Sequence, residues 1–251
     1  MSLDLQVLQL LRLVSPALPV GAFAYSQGLE GAIEQAWIKD EQDSLEWISN
    51  VLQNSISSLD LPALYWQMQH IQLGNEDPDK GISEFIAFND YIYAYRETSE
   101  FRLESHQMGQ ALLRLLRDTT HTTTQAMTQT TTPDFVDKNV HSLLYESEFE
   151  HIDWVSAFAI AASSVKLNTQ QAMLGYAWAW CETQVAAAIK LVPLGQTQGQ
   201  KMLITLIEII AQVIDQRLNT MPKKEEIGAI SPNLAIISSL HETQYSRLFR
   251  S

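Results

Sequence analysis

Apolar residues recur at intervals of three and four positions along almost the whole chain, and this spacing restricts the fold more than any other feature. Leu3, Val7, Leu10, Leu11 and Val14 begin the pattern, which places apolar side chains on one face of a helix. The sequence contains no hairpin signal, no pair of alternating strands and no internal repeat. It therefore predicts an all-α fold, a helical bundle of about ten helices in a single domain, residues 1–251.

Caps, glycines and prolines indicate where the helices begin and end. The stretch YIYAY at residues 91–95 alternates as a strand would, but its flanks are rich in helix formers, so a helix is favoured. Asp43 or Ser44 can cap the third helix. We expect helices at residues 3–14, 25–37, 44–56, 61–73, 82–117 (as one helix or two), 148–166, 169–191, 196–218 and 234–249.

A threonine-rich stretch interrupts the helical pattern. Nine of the fourteen residues 119–132 are threonine, a composition that suits neither a helix nor a packed core. The sequence predicts a flexible insertion at residues 119–146.

The charge balance excludes some classes of partner. With 16 basic and 29 acidic residues the net charge is -13, which repels nucleic-acid phosphates and favours a basic protein partner or a cation. The single cysteine, Cys181, excludes an intramolecular disulfide. The apolar stretches are too short or carry too much charge to span a membrane. We expect a cytoplasmic protein that binds neither nucleic acid nor a membrane.

The motifs that resemble catalytic or metal sites are all incomplete. Ser26 lies in AYSQG, where a serine-hydrolase elbow needs a first glycine. Leu29 and Glu30 follow Gly28 where a phosphate loop carries lysine and then serine or threonine, and a glutamate there would repel a phosphate. His241 begins HETQY, but Tyr245 stands where a zincin has its second histidine. We therefore predict no catalytic residue, no metal ligand and no cofactor, and a protein that is not an enzyme.

Arg96, Glu100 and Glu104 follow one another at intervals of four, with Arg102 beside them. On a helix this spacing predicts a solvated face of ion pairs. The alternative is a helical active site that uses Arg96, Glu100 and His106 on a small molecule.

Residues 15–31 and the C-terminal end are unusual for segments that only fill a core. In the first, Pro19 and Gly21 would set a rigid turn into a helix, Ser26 or a neighbour would cap that helix, and Phe23 and Tyr25 would be buried or would contact a partner.

At the C-terminal end an apolar cluster is expected to share one side of a helix, and two arginines make the end locally basic. Such a terminus docks onto its own core or into the groove of a partner, and the sequence leaves both open. The cluster comprises Ile237, Leu240, Tyr245, Leu248 and Phe249, and the arginines are Arg247 and Arg250.

The segment VPLGQTQGQ at residues 192–200 also predicts a turn between two helices. Gly195 would permit the bend, and Gln196 and Gln200 would face outward from the next helix.

Four segments carry a resemblance to a known family: LPVGAFAYSQGLE (18–30), YRETSEFRLESHQMGQALL (95–113), KLVPLGQTQGQ (190–200) and HETQYSRLFRS (241–251). In this order they resemble the urease accessory protein UreF family, and the resemblance spans nearly the whole chain. The threonine-rich stretch departs from it and resembles an insertion.

The resemblance implies an all-helical homodimer with no catalytic activity. It implies a scaffold that bridges the UreD/UreH accessory protein and the GTPase UreG on apo-urease during nickel insertion, and that gates GTP hydrolysis. Nickel would be cargo in transit. The tail, residues 234–251, would dock into the UreD/UreH partner. A helical adaptor for an unrelated system is the alternative.

The residues that we expect either to contact partners or to shape these motifs come from all four segments. They are Pro19, Gly21, Phe23, Tyr25, Ser26, Gln27, Gly28, Glu30, Arg96, Glu100, Arg102, Gly195, Gln196, Gln200, His241, Glu242, Gln244, Tyr245, Arg247, Leu248, Phe249, Arg250 and Ser251.

Overall fold

The structure, a computed structural model, describes residues 3–126, 138–228, 231–242 and 244–250. Over these residues the chain forms eleven α-helices and no strand, which confirms the all-α prediction. The helices are α1 Leu3–Leu13, α2 Leu29–Glu34, α3 Glu41–Val51, α4 Leu61–Leu73, α5 Pro78–Ala94, α6 Ser99–Ala126, α7 Lys138–Tyr145, α8 Trp154–Ser164, α9 Thr169–Leu191, α10 Gln196–Asn219 and α11 Pro232–His241.

Helix α9 is the centre of the bundle. It packs against α1, α2, α3, α4, α8 and α10, and its buried face includes several small residues, among them Gly175, Ala177 and Cys181. Small side chains let neighbouring helix backbones approach closely. Asn168 and Gln171 begin the helix with a capping box. No helix in the described part of the chain is long and apolar enough to cross a membrane.

A π-helical segment, Leu52–Asp60, joins α3 to α4 without a break in the helical path. Arg217 of α10 binds it through Nε to Ser57 Oγ (2.7 Å) and Nη2 to Ser58 Oγ (3.2 Å). π-Helical turns are rare and are frequent at functional sites. Here the segment ends at Asp60, whose side chain is buried.

Several expected helix boundaries are wrong. The helix expected at residues 148–166 begins only at Trp154, and the helical region expected at 82–117 begins at Pro78 and extends to Ala126. Helix α2 begins at Leu29 rather than at residue 25, because Gln27 and Gly28 directly before it have positive φ angles, which end a right-handed helical path. Helix α3 is capped by Asp40, whose Oδ1 accepts from the Asp43 amide at 3.0 Å, and not by Asp43 or Ser44. Helix α11 ends at His241, so the residues after it are not helical. The region 82–117 contains parts of two helices, α5 and α6, separated at Arg96.

Part of the region expected to be a flexible insertion, residues 119–146, is helical. Helix α6 extends to Ala126, and α7 occupies Lys138–Tyr145 with Val140, Leu143 and Leu144 buried in the core. These apolar residues recur at helical spacing, which the threonine-rich composition before them obscured. Residues 127–137 lie outside the described residues.

We expect Gly81→Ala to destabilise the chain, because α5 crosses the end of α4 at this glycine. An added Cβ would lie 2.5 Å from both the N and Cα atoms of Gly74, and a backbone cannot move aside as a flexible side chain can. The free energy of unfolding should fall by about 1–3 kcal/mol, measured by denaturant titration. The control is Gly195→Ala, where the nearest heavy atom is the Gln198 Oε1 at 3.3 Å. Equal effects of the two substitutions would contradict the packing argument.

Candidate functional site

Arg96 lies between two buried aspartates where α5 gives way to α6. Its Nε donates to Asp153 Oδ2 at 2.8 Å, and its Nη2 donates to Asp153 Oδ1 at 3.0 Å and to Asp60 Oδ1 at 2.8 Å. The side chains of Arg96, Asp60 and Asp153 are 14, 3 and 0% exposed. The guanidinium therefore joins the π-helical segment to the start of α8.

Further hydrogen bonds hold both carboxylates in place. The Tyr176 hydroxyl of α9 donates to Asp60 Oδ1 at 2.8 Å, and the Ser105 hydroxyl of α6 donates to Asp153 Oδ2 at 2.7 Å. Asp153 also caps α8, because its Oδ1 accepts from the Val155 amide at 2.9 Å. Five helical elements thus meet at one arginine, and buried charges of this kind are tolerated when each is paired and hydrogen-bonded.

The network shifts the pKa of three of its members. Burial alone lowers the pKa of Arg96, but the charges of Asp153 and Asp60 outweigh it and raise that pKa well above its ordinary value. Burial raises the pKa of Asp153, and the Arg96 charge and hydrogen bonds overcome this, so the pKa ends below its usual range. Burial and the nearby Asp60 carboxylate raise the pKa of Tyr176. Arg96 therefore stays positively charged, Asp153 stays ionised and Tyr176 stays protonated, as their hydrogen bonds require.

The expected solvated face of Arg96, Glu100 and Glu104 is wrong. Arg96 lies outside both helices and binds aspartates from other elements. Glu100 binds the C-terminal segment, and Glu104 is buried and accepts from Gln27 Nε2. Arg102 donates from Nη1 to the Arg96 carbonyl at 2.6 Å. The prediction from helical spacing is wrong because the chain is not helical between Ala94 and Ser99, where Arg96 lies.

The residues of the alternative active site do not converge. Arg96 binds Asp60 and Asp153, Glu100 binds Arg247, and the His106 Nδ1 accepts from the Ile152 amide at 3.2 Å. Each side chain therefore has its own partner on a different part of the fold.

A chamber of about 110 Å³ lies beside Arg96. Its polar wall includes Gln27, whose Oε1 accepts from the Trp180 indole and whose amide donates to Glu104. The Gln184 Nε2 at this wall is buried without a hydrogen-bond partner. Pockets that enclose a small-molecule substrate are larger, about 300–1,000 Å³, so the chamber does not have the size of a substrate pocket.

The segment 15–31 is a turn that leads into α2. Gly21 and Gly28 have φ angles of 79° and 84°, a left-handed conformation that favours glycine, which confirms the predicted turn. Gly28, close to Ser26, occupies the N-cap position of α2 and has no side chain to accept a hydrogen bond. The Ser26 hydroxyl is buried and accepts from the Glu30 amide at 3.2 Å. It therefore provides a hydrogen-bond partner for a backbone amide in the first turn of α2.

The two aromatic residues of this turn differ in burial, and Pro19 is exposed. Tyr25 is buried and its hydroxyl donates to Gln107 Oε1 at 2.7 Å, while Phe23 is half-buried.

The second turn leads into α10 through Gly195. Its φ is -74°, which any residue adopts, so the bend does not require glycine as expected. Instead, the Gln198 Oε1 accepts from the Gly195 amide at 2.7 Å and caps the helix. Gln196 and Gln200 are both exposed, as predicted.

Residues 244–250 fold back onto the chain and are anchored by Glu30. Its Oε1 accepts from the Leu248 amide at 2.7 Å, and its Oε2 accepts from the Phe249 amide at 2.9 Å. The Phe249 ring is buried, and the Lys190 Nζ lies 5.7 Å from its centroid. Glu30, which argued against a phosphate loop in the sequence, thus binds two backbone amides.

His241, at the end of α11, is fully buried beside this anchor. Its Nε2 lies 3.3 Å from Glu30 Oε2, and its Nδ1 lies 3.0 Å from Glu100 Oε2. Arg247 donates from Nη1 to Glu100 Oε1 at 3.0 Å and from Nη2 to the Glu242 carbonyl.

Other contacts complete the C-terminal end. The Arg250 amide donates to the Ala24 carbonyl at 2.8 Å, and Gln244 Nε2 donates to the Ser246 carbonyl at 2.8 Å. The Ser99 hydroxyl donates to the Glu242 carboxylate. Ser251 lies outside the described residues.

The apolar residues at this end do not share one helical side as expected. Ile237 and Phe249 are buried, whereas Leu240, Tyr245 and Leu248 are exposed. The prediction failed because α11 stops at His241, and Glu30 then fixes a non-helical path.

The described residues contain no group of three or more His, Cys, Asp or Glu side chains that could hold a metal ion. Tyr245, at the second ligand position of the incomplete zincin motif, is fully exposed.

Sequence reasoning missed Asp60, Asp153 and Tyr176, which hold Arg96. They lie 36, 57 and 80 positions from it along the chain, and no local pattern links them. Only Asp153 carries a local signal, since an aspartate directly before an apolar helix is a common N-cap.

Arg96→Ala should destabilise the chain severely, because it leaves Asp60 and Asp153 buried without their cation. We expect the free energy of unfolding near neutral pH to fall by roughly 3–5 kcal/mol. The pKa of Asp153 is lowered in the folded state, so the pairing stabilises the fold above the ordinary aspartate range and is lost as the pH falls through the folded value. The deficit of the variant should therefore shrink below about pH 4.

Denaturant titration at several pH values measures this deficit. The control is Arg12→Ala on α1, whose exposed guanidinium binds Gln9 in its own helix. This substitution should change stability by less than about 0.5 kcal/mol. If Arg96→Ala does not fold, Arg96→Lys keeps the charge and loses the fork of hydrogen bonds. Wild-type stability in both Arg96 variants would contradict the role of the network.

Comparison with known proteins agrees with the motifs. The sequence profile of the UreF family matches residues 38–207. "Urease accessory protein UreF" of Marinomonas sp. (strain MWYL1) is 41% identical over 251 residues, which cover 99% of this chain and 95% of the relative. The protein of the same name from Teredinibacter turnerae is 40% identical, over 98% of this chain and 99% of its own. This chain therefore belongs to the UreF family of urease accessory proteins.

Proposed function

We propose that this protein is a non-enzymatic scaffold in urease maturation. It bridges the UreD/UreH accessory protein and the GTPase UreG on apo-urease, gates GTP hydrolysis by UreG during nickel insertion, and works in the cytoplasm as a homodimer. It holds no cofactor of its own, and nickel is cargo of the whole complex. The names of the relatives support a role in urease maturation.

The observation that carries the proposal is a group of large apolar side chains exposed around a rigidly anchored C-terminal segment. Tyr245 and Leu248 are 105 and 66% exposed, while the backbone of this segment is tied to Glu30. On α11, Ile236 and Leu240 are also exposed, one turn apart. Exposed apolar groups on an ordered backbone are typical of protein-binding surfaces, because little further ordering is needed on binding.

A scaffold that bridges two proteins needs a second surface, and α1 offers one. Leu3, Leu8 and Leu11 are each more than half exposed, whereas Leu10 packs against α9 at Gly175. The helix thus has one apolar side on the core and another in solvent. An amphipathic helix that packs only against its own core needs apolar residues on one side alone. The exposed apolar side of α1 is therefore the candidate for the second surface.

The geometry supports a binding role for the tail by its exposed residues rather than by Phe249. Phe249 is buried in this chain and is unavailable while the segment is anchored. We therefore assign contact with the UreD/UreH partner to Tyr245 and Leu248.

The test is a double variant, Tyr245→Ala with Leu248→Ala, mixed with the cognate UreD/UreH protein. Loss of two exposed apolar side chains should raise the Kd for the UreD/UreH protein at least about tenfold, measured by calorimetry. Helical content and stability should stay at the wild-type level, since neither side chain is buried. Light scattering of the same samples reports the dimer, and GTP hydrolysis by UreG with and without the complex reports the gating.

The matched control is Ile204→Ala with Ile207→Ala on α10, which removes two apolar groups of 64 and 50% exposure. It should bind the UreD/UreH protein as the wild type does. Wild-type affinity of the Tyr245/Leu248 variant would exclude the tail as the docking surface, and turnover of a small molecule by the isolated protein would exclude a non-enzymatic role.

A further inference from the structure

The backbone of the C-terminal segment, residues 244–250, is bound by one carboxylate from near the other end of the chain. The consecutive amides of Leu248 and Phe249 donate to the two different oxygens of Glu30, at 2.7 and 2.9 Å. Glu30 lies on α2, and its side chain is only 8% exposed. Hydrogen bonds from backbone amides to a carboxylate are stronger than those between neutral groups. Glu30 therefore restricts the backbone conformation at these two residues.

This restriction also sets the directions of the neighbouring side chains. The Phe249 side chain is buried, whereas the Leu248 side chain directly before it is 66% exposed. Rotation of the backbone at these residues would break at least one of the two bonds to Glu30, and it would turn Leu248 inward or Phe249 outward. The exposed leucine that we assign to partner contact thus has a defined direction in the free chain.

The other contacts of the segment with the body of the protein constrain residues 248–249 less directly. The Arg250 amide donates to the Ala24 carbonyl at 2.8 Å, which fixes the end of the segment. Arg247 donates from Nη1 to Glu100 Oε1 at 3.0 Å, through a long side chain that is 32% exposed. A long side chain that is partly in solvent has many rotamers, so this ion pair leaves the backbone several conformations.

We propose that Glu30 is a positioning residue for docking, which orders residues 244–250 in the free chain and so presents Tyr245 and Leu248 before the partner binds. The ordering is a property of this chain alone, whereas the docking role rests on the proposed function. When a partner binds only the ordered segment, the apparent affinity is reduced by the fraction of molecules in which the segment is ordered. Glu30 raises that fraction, and it acts on the partner only through the segment.

The test is Glu30→Gln, which keeps the size of the side chain and replaces one carboxylate oxygen with an NH2 group, a donor. One of the two backbone amides then faces a donor instead of an acceptor, so the segment should open more often. Hydrogen exchange of the Leu248 and Phe249 amides in the full chain without a partner should give protection factors at least about tenfold lower than in the wild type. Denaturant titration checks that the rest of the chain stays folded.

The same variant should bind the UreD/UreH protein with a Kd at least about fivefold higher, measured by calorimetry. The loss should lie in the association rate constant, because fewer free molecules have an ordered segment, while the dissociation rate constant stays at the wild-type value. Unfolding of part of the sample would instead lower the binding stoichiometry. Added to Tyr245→Ala with Leu248→Ala, Glu30→Gln should cause no further loss of affinity, since its effect passes through those two side chains.

The matched control is Glu34→Gln, the same substitution at an exposed position on α2. It should leave the protection factors and the Kd at their wild-type values. If Glu30→Gln does not fold, Glu30→Asp serves instead, because it keeps the charge and withdraws the carboxylate by one C–C bond, about 1.5 Å. It should also lower the protection of the two amides.

Wild-type protection in the Glu30 variant would overturn the role of Glu30 in ordering the segment. Lowered protection with an unchanged Kd would overturn its role in docking. If the wild-type chain does not bind the UreD/UreH protein, the proposed function fails and the docking role fails with it, whereas the exchange measurement still decides whether Glu30 orders the segment. The two failures are therefore distinguishable.

Discussion

The structure depends on one arginine. Arg96 forms a fork of hydrogen bonds with Asp153 and a further bond with Asp60, and through them it fixes the π-helical segment, the start of α8 and the junction of α5 and α6. Tyr176 and Ser105 add α9 and α6 to the same point. Apolar packing is tolerant of small shifts between helices, whereas a planar guanidinium with paired carboxylates is not. The network therefore specifies one arrangement among the many that similar apolar faces allow.

A second polar cluster, built on Glu30 of α2, performs a different task. Glu30, Glu100 and His241 do not join core helices alone; they hold the C-terminal segment against α2 and α6. The backbone amides of the segment are bound while Tyr245 and Leu248 stay in solvent. Position in the chain does not decide exposure here, since Phe249, the next residue, is buried. A terminus of this kind presents exposed apolar side chains on a backbone that hydrogen bonds hold in place.

The two clusters explain where prediction from sequence succeeded and where it did not. Helical spacing was sufficient for α1, α4, α9 and α10, because each has a continuous apolar pattern between clear caps or breaks. The same spacing misled at Arg96, Glu100 and Glu104, since the chain leaves the helix between Ala94 and Ser99. It also misled after His241, where a carboxylate from α2 replaces helical hydrogen bonds. In each case a contact with a residue distant in the chain overrode the local preference.

The sequence by itself determined the all-α class, the turns at Gly21 and Gly28 and the membership of the UreF family. These follow from local spacing, from backbone conformations that favour glycine, and from motifs that can be read along the chain. Only the tertiary structure decided that Arg96 is buried, that Glu30 binds the C-terminal segment and that Phe249 belongs to the core. The physical reason is that a charged or aromatic side chain has no fixed environment of its own. Its role depends on the partners that folding brings to it, and here they come from 36 to 219 residues away.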